Sequence, residues 1–223
     1  MKNIIIAGIP RAGKTTLAKR LFKNLTNYNL IEEDILNSAL MDVYKYHIAK
    51  PDENGIMNIN LWETNQLCDA LLKRYVSYLN NCEKDIGVIL DTYSLKMEEL
   101  KKFSDKGDIV VVLGISSITA EEFFKNIRKY DNCEERTFYQ NDFMLMNEIE
   151  CYIQDSCKYK KQCDELGLVY IDTSTERDKR LDEAYQIILK KINNGWFYPL
   201  FYLMCLFISL YNIRAINSSW TRC

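Results

Sequence analysis

Residues 8–15 read G-I-P-R-A-G-K-T, and they constrain the fold more than any other feature of the chain. An apolar, β-branched run, Asn3–Ala7, leads into them. After them Thr15–Leu25 places Leu17, Leu21, Phe22 and Leu25 at helical spacing. A strand must therefore end and a helix begin across a loop bounded by two glycines. Gly8 and Gly13 permit the backbone angles that wrap such a loop round an anion. The N–H groups of Gly13, Lys14, Thr15 and Thr16 would then face that anion from the positive end of the helix.

The spacing G-x-x-x-x-G-K-[ST] in this strand-to-helix context points to a nucleotide-phosphate site formed by Gly8, Ile9, Pro10, Arg11, Ala12, Gly13, Lys14, Thr15 and Thr16. The bland alternative is a glycine-containing turn that happens to include Lys and Thr. On the functional reading Lys14 brings a mobile cation to the β- and γ-phosphates of a nucleotide, and the Thr15 hydroxyl binds Mg²⁺. Asp91 follows a buried-type strand, Gly87–Leu90, at the sheet edge where ligands of α/β folds collect. It is either the second metal partner or a cap for the next helix. Asp34 follows a short strand, Asn29–Ile31. It is either the group that accepts or orients an attacking hydroxyl's proton, or the N-cap of a helix beginning near Ile35. Its neighbours Glu32 and Glu33 read as solvated flankers. Arg128 and Arg136 bracket a break in a helical stretch. They suit stabilisation of a phosphoryl group in transit, or ordinary i,i+4 pairing on an exposed helix. Arg177, after the last strand, could stack on a base.

Composition excludes several other functions. The 223 residues are 48% hydrophobic and 27% charged, a globular balance that leaves disorder aside. Lys+Arg is 29 against Asp+Glu 31, without the cationic surplus that nucleic-acid backbone binding requires. His47 is the sole histidine, so a Ser-His-Asp triad has no base other than this residue, which reads as filler. The eight cysteines form no C-x-x-C pair, and no secretory signal opens the chain. Free thiols and a cytoplasmic location are the expectation.

Further along, the amphipathic repeat over Leu61–Leu79 predicts a helix. Ile109–Ile115 is the strongest strand, residues 119–166 read as a long helical stretch broken near Asn132, Gly167–Ile171 is a fifth strand, and Leu181–Ile192 a final helix. Five short apolar strands separated by helices call for an α/β fold with a five-stranded parallel sheet sandwiched by helices. This domain spans 1–194. The tail, 195–223, contains 18 uncharged residues, Trp196–Ile213, flanked by Lys190, Lys191 and Arg214. As a helix they would cover about 27 Å, the lower limit for a bilayer core. A membrane contact through 196–213, a docked or interfacial helix and a non-native terminus all remain open.

Together GIPRAGKT, EEDILNSAL, GVILDTY, FKNIRKYDNCEER and GLVYIDTS make residues 1–192 resemble the P-loop kinases, adenylate and shikimate kinases most nearly. The resemblance implies a P-loop NTPase sheet, an acceptor region around 34–80 and a mobile lid around 128–140. It further implies transfer of the γ-phosphoryl of ATP, with Mg²⁺, to a small-molecule acceptor, with Lys14, Asp34, Arg128 and Arg136 as catalytic groups and Thr15 and Asp91 at the metal. Two departures stand out. Adenylate-type kinases carry an arginine where this chain has Asn37, and Gly-Phe-Pro-Arg after the position of Asp91, where this chain has Thr92, Tyr93 and Ser94. A buried dianion without guanidinium partners is costly, so a neutral or weakly charged hydroxyl acceptor is expected, although Arg74 could substitute for the missing cations. A nucleoside monophosphate kinase and a regulatory NTPase tethered by the tail are the alternatives.

Overall fold

The computed structural model describes residues 1–43, 45, 66–68, 70–74, 77, 86–130 and 136–193. The elements run β1 (Ile4–Gly8), α1 (Lys14–Asn24), β2 (Tyr28–Glu32), α2 (Glu33–Val43), α3 (helical at 66–68 and 70–74), β3 (Gly87–Asp91) and α4 (Met97–Asp105). They continue through β4 (Ile109–Gly114), α5 (Ala120–Tyr130), a 3₁₀ turn (Arg136–Tyr139), α6 (Asp142–Leu166), β5 (Val169–Asp172) and α7 (177–193). The chain divides into two compact units, Met1–Tyr185 and Gln186–Cys223. The hydrophobic segment 196–213, most of the expected acceptor region 34–80, residues 131–135 and the Arg136 side chain lie outside the described residues. Among the described residues no helix is long and apolar enough to cross a membrane.

All five strands are parallel, in the order β2-β3-β1-β4-β5. Parallel strands bury both faces, which is why β1, β3 and β4 read as unbroken apolar runs and are buried at every position. On one face Ile5, Val88, Leu90, Val110 and Val112 pack with Cys68 and Leu72 of α3, Met97 and Leu100 of α4, and Cys163 of α6. The alternate residues Ile4, Ile6, Ile89, Val111 and Leu113 are buried on the other, as are Leu17 and Leu21 of α1. Each loop that follows a strand therefore opens at the same edge of the sheet. Because β1 and β3 pair directly, with Ile6 opposite Asp91, that edge brings the glycine-bounded loop and Asp91 together.

Some boundaries differ from the sequence reading. α4 interrupts what the sequence offered as connecting chain. It is nine residues long, and its apolar face, Met97 and Leu100 with partly buried Phe103, makes too few turns to register as periodic. Gly167 closes α6 in a left-handed C-cap, so β5 starts later, at Val169. The four described cysteines carry free thiols. Burial pushes the Cys163 thiol up to about 12, while Cys151 and Cys157 are exposed. At pH 8, alkylation read by peptide mass spectrometry is expected to label Cys151 and Cys157 at least a hundredfold faster than Cys163, the difference vanishing in denaturant.

Candidate active site

The loop between β1 and α1 has three residues at positive φ: Gly8 at 130°, Arg11 at 65° and Gly13 at 97°. These turns curl residues 9–13 into a cup above the sheet edge. Its floor is the start of α1, whose first helical hydrogen bond runs from Leu17 N–H to Gly13 C=O, 3.0 Å. The N–H groups of residues 14–16 precede that bond and have no carbonyl one turn back. Pro10 and Thr16 are exposed, whereas Ile9 and Ala12 are buried and anchor the loop. On the far side the Thr173 hydroxyl donates to Ala12 C=O, 3.0 Å, and so ties the loop to the end of β5.

Lys14 is buried, and its Nζ donates to Ile9 C=O at 3.0 Å, folding the side chain back over the loop. Desolvation lowers its pKa, opposed by the nearby carboxylates of Asp91, Asp34 and Glu33. The Thr15 hydroxyl donates to Asp91 Oδ2 at 2.6 Å. Burial raises the Asp91 pKa, against the Thr15 hydrogen bond and the Lys14 charge. Asp91 caps no helix, since α4 begins at Met97 with Lys96 as its N-cap. Asp34 does not cap either. α2 starts at Glu33, which puts Asp34, exposed, in its first turn and close enough to act electrostatically on both Lys14 and Asp91. The structure therefore gathers Lys14, Thr15, Asp91 and Asp34 at one place.

Glu33 is a correction. It is only 2% exposed, and its Oε2 accepts from the Thr92 hydroxyl (2.6 Å), Tyr93 N–H (2.7 Å) and Ser94 N–H (3.3 Å). A carboxylate flanked by Glu32 and Asp34 carries no sequence sign of burial; the donors that satisfy it come from a loop 60 residues on. Glu32, by contrast, pairs with Lys19 at 3.1 Å.

Arg128 is engaged away from the loop. Its guanidinium donates to Thr137 C=O (2.7 Å), Gln140 C=O (2.6 Å) and the Asp142 carboxylate (2.6 Å), pinning the 3₁₀ turn to α5. This ion pair spans 14 residues, so it is not the i,i+4 pairing of an exposed helix. Thr137, buried in the same turn, also takes a hydrogen bond from the Arg11 guanidinium, which links the glycine-bounded loop to the turn. Arg136 opens that turn. A cleft of about 300 Å³ lies alongside, lined by Arg11, Phe123, Ile127, Tyr130, Thr173 and Arg177 among others.

No protein-family model matches the sequence. Adenylate kinase 9 of Mus musculus is 24% identical over 179 residues, which cover 75% of this chain but only 8% of that protein. The structure superposes on a shikimate kinase from Bacteroides thetaiotaomicron at 15% identity and TM-score 0.53, covering 86% of this chain and 98% of that one. A gluconokinase from Sinorhizobium meliloti matches at 15% identity and TM-score 0.53, covering 88% and 97%. A deoxyadenosine kinase from M. mycoides matches at 16% identity and TM-score 0.51, covering 87% and 100%. The chain has the P-loop kinase fold. Within that fold the cup formed by Gly8–Thr16 is the turn from the first strand to the first helix, and the 3₁₀ turn held by Arg128 lies in the segment the sequence marked as a lid.

Proposed function

We propose that the protein transfers the γ-phosphoryl group of ATP to a hydroxyl of a small molecule. The observation that carries this reading is the 2.6 Å pairing of Thr15 with Asp91 beside buried Lys14, at the start of a helix whose opening N–H groups suit phosphate oxygens. The kinases that share the fold, and the one similar in sequence, lend it support.

The cleft beside Arg11 and Arg177 would take the base, and the P-loop the phosphates. Lys14 would leave the Ile9 carbonyl for the β- and γ-phosphate oxygens, exchanging one acceptor for charged ones. Thr15 and Asp91 suit a hard cation. They supply one hydroxyl and one carboxylate, and no cluster of three acidic, His or Cys ligands occurs among the described residues, as for an ion held mainly by phosphates and water. Bound there, Mg²⁺ supplies charge neutralisation at the β- and γ-oxygens. Asp34 would take the acceptor hydroxyl's proton as its oxygen bonds to the γ-phosphorus and the bond to the β,γ-bridging oxygen breaks, releasing ADP. Arg128 would reach the transferring group by exchanging Asp142 for phosphate oxygens as the turn bearing Arg136 closes.

Asp34→Asn tests the assignment of the base. ADP release stimulated by acceptor is expected to fall about a hundredfold or more, with ATP affinity by calorimetry unchanged. An unaltered turnover overturns it.

A further inference from the structure

The Glu33 cluster does more than brace a loop. Its carboxylate holds the backbone of Tyr93 (2.7 Å), and one helical turn further along α2 the Asn37 amide donates to the Tyr93 hydroxyl at 2.7 Å. Both ends of a single turn of α2 are thus fastened to one residue of the loop that follows Asp91. The pairing leaves two valences open. Asn37 Oδ1 is buried with no hydrogen-bond partner. The Tyr93 oxygen, having accepted from Asn37, keeps its own proton to donate. If the Asn37 amide is turned over, Tyr93 donates to Oδ1 and an amide N–H is left instead, so one unmet polar group persists in either orientation.

Position and charge say what could fill them. Asn37 is three residues after Asp34, hence on the same side of α2. The carboxylates of Glu33 and Asp34 both act on Tyr93; with burial as the first cause, they hold its phenol above the ordinary tyrosine value, so it stays a protonated donor. An anionic group brought here would meet two negative charges and an uncharged amide and phenol. A neutral hydroxyl, donor and acceptor at once, satisfies Asn37 Oδ1 and the Tyr93 proton together.

We propose that Asn37 and Tyr93 are the specificity-determining pair for an uncharged acceptor with at least two hydroxyls, one held by this pair while another faces Asp34, and that Glu33 is the residue that positions them. The inference rests on the phosphoryl-transfer reading and names the chemical class of its acceptor. Leaving such a buried polar group unpaired is the means by which sites reject compounds lacking the matching hydroxyl.

Binding is read first, by calorimetry on the full chain with a non-hydrolysable ATP analogue present, using matched probes: adenosine and AMP, cytidine and CMP, glucose and glucose 6-phosphate, glycerol and glycerol 3-phosphate. At least one uncharged probe is expected to bind ten times more tightly than its phosphorylated counterpart. Asn37→Leu and Tyr93→Phe should each weaken that binding about tenfold, with affinity for the ATP analogue unchanged. Tyr93→Phe removes only an oxygen and guards against a folding artefact. Glu33→Gln should raise the acceptor KM more than it lowers kcat, the signature of positioning. No uncharged probe binding more tightly than its phosphorylated counterpart, no probe of either kind binding, or both variants staying within twofold overturns the inference. Failure of the kinase reading shows separately, as a bound uncharged probe that elicits no ADP from ATP.

Discussion

Lys14→Met is expected to lower phosphoryl transfer about a thousandfold while leaving the chain folded. The rate term follows from the place of Lys14 on the P-loop. A single preorganised charge aimed at developing negative charge in a dry site accounts for about 10²–10³ in rate, and the N–H groups of residues 14–16 cannot follow the γ-phosphoryl as it moves. Stability runs the other way. Burial lowers the pKa of Lys14, so the folded chain holds this proton less tightly than the unfolded chain does. Between the lowered value and the ordinary lysine value of 10.5, the unfolded chain binds more protons, and stability rises with pH. The charged lysine therefore weighs against folding at neutral pH, and methionine, which keeps the aliphatic stem, removes that burden. Urea titrations at pH 7 and 10 check it: any deficit of the wild type against Lys14→Met shrinks as pH rises. Lys14→Arg should not rescue activity, because a planar guanidinium does not replace a compact ammonium in a cup this size. A Lys14→Met protein transferring phosphoryl groups at the wild-type rate would overturn the role assigned to the residue.

Gly8→Ala is expected to be the most damaging single methyl in the P-loop for stability. A Cβ at Gly8 would stand 1.9 Å from the Leu113 carbonyl oxygen and 2.8 Å from its carbon, both backbone atoms of β4. Neither can retreat, because β4 lies inside the sheet between β1 and β5 and the same carbonyl accepts Ile9 N–H at 3.3 Å. The residue also sits at φ 130°, which L side chains rarely adopt. The expected loss is about 3–5 kcal/mol, a fall in Tm of about 10 °C or more for a chain of this length. Gly107→Ala is the control. It shares a positive φ, 94°, but a Cβ there would meet nothing within 4 Å. Its cost should be conformational only, about 1 kcal/mol. If the two substitutions melt alike by calorimetry, the contact with β4 is not what fixes Gly8.

The strands and the P-loop were legible because the physics that makes them is local. A run such as Ile109–Gly114 is apolar at every position since both of its faces are covered, and glycine spacing writes the turn angles directly into the sequence. Asp91 was legible for a related reason: a carboxylate ending a buried strand has few places to be other than the sheet edge. Glu33 was not. Its burial depends on Thr92, Tyr93 and Ser94 arriving across the sheet through the pairing of β2 with β3, in which Glu32 lies opposite Asp91. Arg128 was half legible. Its residue type suggested charge delivery, whereas its partners, two carbonyls of a 3₁₀ turn and Asp142, are set by how the chain returns after residue 130. Helix α2 shows the same limit: its short apolar pattern hid its true start, and two residues of offset, Glu33 instead of Ile35, turn the N-cap alternative for Asp34 into a first-turn side chain.

The strand order has a consequence for biosynthesis. The first of the five strands to leave the ribosome is the middle of the finished sheet, yet its two neighbours lie at residues 87–91 and 109–114. Translation must therefore run past residue 114 before β1 can be flanked on both sides, and the glycine-bounded cup at its tip is held by both neighbours only then. During that interval an unflanked Ile-Ile-Ile-Ala-Gly segment is held in a nascent chain, a sticky edge that folding helpers would need to shield.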